Sequence, residues 1–296
     1  MSLLTPERVP VKVYRWDDEG APVFDKTPNC MATIFKACLV TGYGDKEGAG
    51  WTMPFEDTSA GVKVLRPEIG PHTDFYLRLS EDAGTEMAAQ VYLNMTDANT
   101  GDLKLQCNSA FKYGGNNTSG KWILIASPRG FWFTNEHAYQ TNVSLNKSGS
   151  FFYCGHTTAY TQTAQTGIYL QHSGGSHIAG NTNSITGIGY QGNVVKSDGN
   201  FYVYGKLLLD NIVYKTDVIN TVNGTDVFVA DDVSWQAFAV VDEQAVLLPG
   251  LFIPWYGAQH TNFHVLSDSA GGESIVCNNS TRYACNLNVK TDYWVY

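Results

Sequence analysis

Charge is what this chain has least of. Only 16% of its residues are Asp, Glu, Lys or Arg, against roughly 25% in an ordinary soluble domain. The formal net charge is −9 and the pI near 5.2, with no run or stripe of Lys and Arg. Backbone-directed binding to DNA or RNA needs a positive footprint, so nucleic acid is excluded as a partner. No apolar run reaches the ~18 residues of a membrane-spanning helix, so membrane insertion is not expected. The first eight residues, Met1 to Arg8, lack the apolar core and small-residue cleavage site of a signal peptide. The expectation is a chain made in the cytoplasm.

Metal and disulfide signatures are also missing. Six cysteines lie at 30, 38, 107, 154, 277 and 285, with no CxxC among them. No histidine falls at a zinc-finger offset. Cys30 and Cys38 sit on one predicted helix, about 12 Å apart at its rise per residue, too far for a disulfide. Cys277 and Cys285 can face each other across a hairpin. Otherwise the cysteines read as reduced, buried thiols. Asn-x-Ser/Thr triplets at Asn94, Asn116, Asn142, Asn146, Asn223 and Asn279 then mark polar loops only.

Catalytic patterns fare no better. There is no P-loop and no dinucleotide-binding glycine pattern after a strand. His172 to His177 (His-Ser-Gly-Gly-Ser-His) is not Gly-x-Ser-x-Gly and lacks a strand-turn-helix frame. His260 and His264 would suit a metal on a helix. Their surroundings read as strand, where that spacing spans about 13 Å. Asp17-Asp18-Glu19-Gly20 lacks the alternating ligands of a calcium loop and reads as a solvated turn. Asp74, Asp226, Asp231, Asp232, Asp242 and Glu243 are the carboxylates a glycosidase could use, but linear sequence does not supply the required separation. No catalytic, cofactor-binding or metal-binding residue is assigned, no cofactor is expected, and the chain reads as a non-enzyme.

What is present is aromatic and β-patterned. Hydrophobic residues make up 43% of the chain and aromatics 13%. Pro10 to Trp16 alternates as a strand does. Thr27 is placed to cap a helix whose first residue is Pro28. Met31, Ile34, Phe35, Cys38 and Leu39 then form one apolar stripe. Gly42 is placed to end the helix in a left-handed turn.

Strands follow at 62–65, 74–79, 86–95 and 102–107. Lys121 to Ala126 is apolar on both faces, as a central strand is, and Pro128-Arg129-Gly130 turns it into Gly130 to Thr134. Residues 135–200 shift to Gly, Ser, Thr, Asn, Gln and His. They hold strands near 151–156 and 167–170 among long polar loops. Regular strands resume at 201–209, 213–218, 226–230 and 236–241. An apolar segment at 246–256 is expected to cross the core, and further strands extend to Tyr296. The fold class is mainly β: antiparallel β-sandwich or barrel-like sheets with one N-terminal amphipathic helix. Two β-rich units, 1–135 and 136–296, or a single one, fit this pattern.

The organising stretch is Cys38 to Phe55, with four glycines and the aromatics Tyr43, Trp51 and Phe55. It reads as a buried cross-over clasping the helix to a sheet. Trp122 and Trp132 complete the expected core. Ala37-Cys38-Leu39-Val40-Thr41-Gly42-Tyr43-Gly44, with Ala49-Gly50-Trp51-Thr52-Met53-Pro54-Phe55, resembles the N-terminal signature of a family of tailed-bacteriophage virion structural proteins. The likeness continues at Phe75 to Leu79, at Trp122 to Ala126 and at Phe131 to Phe133. It is thinner at Phe151 to His156 and Leu248 to Leu251.

The resemblance implies a phage or prophage particle component, found in the virion. Its partners would be copies of itself and other virion proteins. A tail or tail-tip/baseplate position is expected, with capsid decoration or a head–tail position as the alternative. A glycan-binding or glycan-cleaving β protein, with a host-surface glycan as partner, is the competing expectation, and a cytosolic binding protein a third.

Overall fold

The computed structural model describes residues 7–25, 27–69, 74–80, 82, 86–111, 118–137, 151–159, 167–173, 191–196, 201–207, 234–241, 244–254, 265–267, 272–280 and 285–296. The N-terminal part runs β1 (Arg8–Pro10), β2 (Lys12–Arg15), α1 (Cys30–Lys36), a π-helical segment (Ala37–Thr41), β3 (Thr52–Asp57), β4 (Val62–Arg66), β5 (Tyr76–Ser80), β6 (Glu86–Leu93) and β7 (Asp102–Phe111). Next come β8 (Thr118–Ser127), β9 (Gly130–His137), β10 (Phe151–His156), β11 (Thr158–Ala159), β12 (Gly167–Ser173), β13 (Gln191–Lys196) and β14 (Phe201–Leu207). The last are β15 (Ser234–Val241), β16 (Gln244–Pro254), β17 (Val265–Ser267), β18 (Glu273–Ser280), β19 (Cys285–Lys290) and β20 (Tyr293–Val295).

The protein is mainly β and its strand pairs are antiparallel. β3 to β7 form a five-stranded meander in chain order. A thirteen-stranded sheet runs β17-β18-β19-β16-β15-β14-β13-β12-β10-β9-β8-β2, with β11 joined to β16. Only Thr157 separates β10 from β11, so the path from β10 through β12 to β16 closes on itself, which is the barrel-like element. β1 and β20 make a separate two-stranded ribbon. Residue 135 lies within β9, which pairs with β8 on one side and β10 on the other.

The helix stripe is buried as its period requires: Met31, Ile34, Phe35, Cys38 and Leu39 have no exposed surface. They pack between the two large sheets. Leu65, Leu77, Leu79, Met87, Ala89 and Val91 face them from the five-stranded sheet. Trp122, Leu124, Phe131, Phe133 and Phe152 face them from β8, β9 and β10. Phe35 sits edge-on to Phe131 and Phe133, at centroid distances of 5.0 and 5.1 Å. Ile123, Ile125, Trp132 and Tyr153 alternate with the inward residues and are equally buried on the other face. β8 is the two-sided central strand its sequence describes.

The helix ends differ from expectation. Asn29, with φ 65°, takes the N-cap place and makes no side-chain cap bond. Thr27 lies two residues earlier, where its backbone N–H and hydroxyl both donate to Asp25 Oδ1. The cap comes from Asp82, between β5 and β6 in the chain, instead. Asp82 Oδ2 accepts from the Ala32 N–H at 2.8 Å, and the Asp82 carbonyl accepts from the Asn29 N–H at 2.7 Å. A carboxylate there also complements the positive end of the helix dipole. Asp82→Ala is expected to lower stability by about 1–2 kcal/mol, the usual worth of a cap, read as a shifted urea midpoint at unchanged slope.

At the other end the helix loosens into the π segment, and the Gly42 N–H donates to the Ala37 carbonyl at 2.7 Å. Gly42 stops the helix with positive φ (76°), but its ψ of 176° leads into extended chain. That is not the left-handed cap expected from the sequence.

Candidate functional site

The clasp is built by backbone and side chains closing on one carboxylate. Asp18 Oδ2 accepts from the Arg15 N–H at 2.7 Å, the Tyr43 hydroxyl at 2.7 Å and Lys46 Nζ at 2.6 Å. Lys46 also donates to the Val13 carbonyl at 2.9 Å, and the Tyr14 hydroxyl to the Glu47 carbonyl at 2.7 Å. Tyr43 and Lys46 exchange backbone hydrogen bonds, both 2.9 Å. Asp18 is therefore no solvated turn residue: its side chain is 16% exposed. Burial, with help from the neighbouring Asp18, pushes the Tyr43 phenol well above its ordinary value, so it remains a donor.

The glycines fit chain against chain. At Gly44, with φ 56°, an added Cβ would overlap the carbonyl oxygen of Glu19. At Gly48 it would overlap the carbonyl of Val40, in the π segment. A phosphate-cradling loop presents open backbone N–H groups; this one is filled by its own carbonyls. Gly48→Ala is expected to force the two segments apart and cost about 1–3 kcal/mol, as overpacking does, visible as a lowered Tm.

Trp51 joins the clasp to the sheets. It is 3% exposed, and its Nε1 donates to the Ser127 carbonyl at 3.0 Å. Its ring sits edge-on to Phe75 at 6.0 Å and Phe131 at 5.6 Å. Trp122 is fully buried in the same core, donates to the Pro22 carbonyl and lies 6.4 Å from half-buried Tyr43. Trp132 points to the opposite face of β9, donates to the Pro249 carbonyl at 2.8 Å and packs on Tyr153 at 4.5 Å.

Phe55 stands apart from the clasp, because the segment expected to be cross-over ends in a strand, β3. A bulge between Thr52 and Phe55, around Pro54, lets Met53 and Phe55 of this edge strand pack on opposite faces. Met53 consequently packs on the main core. Phe55 instead joins Val62, Val64, Tyr76 and Tyr92 on the outer side of the five-stranded sheet.

The turn Ser127 to Gly130 is a second node, and sequence reading missed it. Arg129 is 8% exposed, and its guanidinium holds Glu7 through two bonds of 2.8 and 3.1 Å. Glu68 lies at 4.0 Å, and the Tyr296 ring lies under the guanidinium at 5.4 Å. The Pro128 carbonyl accepts from the Glu68 N–H, and the Arg129 carbonyl from the His156 N–H. Ser127 Oγ shares a 2.7 Å hydrogen bond with the Tyr296 hydroxyl. The Pro-Arg-Gly signal marks a turn; nothing in it marks four distant segments meeting there.

Of the residues weighed for chemistry, Asp74 is engaged by Arg66 through two bonds. Asp226, Asp231, Asp232, Asp242, Glu243, His177, His260 and His264 lie outside the described residues. His156 is 2% exposed, with Phe75 edge-on at 5.2 Å. Cys30, Cys38 and Cys154 are buried thiols outside any disulfide, and burial pushes the Cys38 and Cys154 thiols up. Cys285 pairs in register with Ser280 while Cys277 falls in a bulge, so the two do not face each other. Among the described residues no group of three or more His, Cys, Asp or Glu is placed to hold a metal, and no helix is long and apolar enough to cross a membrane. The arrangement ties helix, sheets and both terminal segments together. Compared with known families, curated proteins and solved structures, the chain matches none.

Proposed function

We propose that this chain is a non-enzymatic structural component of a tailed-phage virion, placed in the tail or at the tail tip and baseplate. The observation that carries the reading is the stretch from Ala37 to Phe55. It bears the resemblance to virion proteins, and its glycines, Tyr43 and Trp51 are spent on holding helix to sheet. A chain with 16% charged residues suits a multicopy part whose surface lies against copies of itself and neighbouring subunits.

The test is mass spectrometry of gradient-purified particles, followed by antibody labelling in the electron microscope. The chain is expected in stoichiometric amount, with label on the tail. Absence from the particles, together with strictly monomeric light scattering, would overturn the proposal. Label on the capsid would move the protein to a decorating role.

A further inference from the structure

We draw no further inference here: the strongest candidate, the half-buried aromatic face that Phe55 and Tyr76 form beside Arg66 on the outer side of the five-stranded sheet, is an unpartnered surface patch, and nothing in the structure shows what covers it.

Discussion

Trp51→Ala is expected to lower stability by about 3–5 kcal/mol, the range for removing a large buried aromatic. The high end applies because the cavity cannot collapse easily. Phe75 precedes β5 of the five-stranded sheet and Phe131 belongs to β9 of the large one, so the ring spans two sheets. The variant also removes the indole N–H that the Ser127 carbonyl accepts. Trp51→Phe separates the two contributions: it keeps most of the apolar contact and loses the hydrogen bond, at about 1–2 kcal/mol. Guanidinium denaturation of the three proteins gives both values. An alanine variant that unfolds with the wild type would show that Trp51 is not a structural anchor.

Alkali is expected to unfold the protein sharply. Tyr153, Cys38 and Cys154 have no exposed surface, and burial raises all three above their ordinary values. In the unfolded chain a cysteine ionises near pH 8.5 and a tyrosine near 10 (both approximate), while in the fold these groups keep their protons. Above those values the unfolded state binds fewer protons than the native state, so stability falls as pH rises. Their contribution is complete below about pH 8. Each then removes about 1.4 kcal/mol per pH unit once its unfolded form is ionised. Burial raises Tyr14, Tyr43 and Tyr296 as well, so they add to the same loss. Circular dichroism and tyrosinate absorbance, followed together against pH, should show these phenols ionising only as the fold is lost. Gradual ionisation with the fold intact would refute the buried assignment. Tyr153→Phe should flatten the stability profile above pH 10.

Local periodicity made much of the fold legible. The helical stripe from Met31 to Leu39 is set by a 3.6-residue repeat, and the structure buries all five of its members. Apolar runs on either side of Pro128-Arg129-Gly130 could only be a hairpin, and β8 pairs with β9 there. The aromatics of the clasp were legible by identity, but not the faces they take. Phe55 is turned outward by a bulge, which shows in sequence as nothing more than a proline. Asp82 caps a helix that starts 52 positions earlier, at Cys30. Asp18 looked like any acidic turn residue because its three donors come from Arg15, Tyr43 and Lys46. Contacts between distant segments carry no periodic trace, and these are the contacts that build both nodes.

The ribbon of β1 and β20 sets the order in which the protein can be completed. Val9 stands opposite Trp294, and Glu7 and Tyr296 exchange backbone hydrogen bonds. Trp294 is 1% exposed. Closing a loop of nearly the whole chain is paid in entropy before any contact rewards it, and such topologies fold slowly. On the ribosome, Trp132 and Tyr153 are synthesised long before the segment that brings Trp294 and Tyr296. Until residues 293–296 follow, their side of β8, β9 and β10 lacks that cover, an apolar surface open to wrong pairings. Residues 293–296 therefore act as a stitch that closes the ribbon only after the strands they cover have been made.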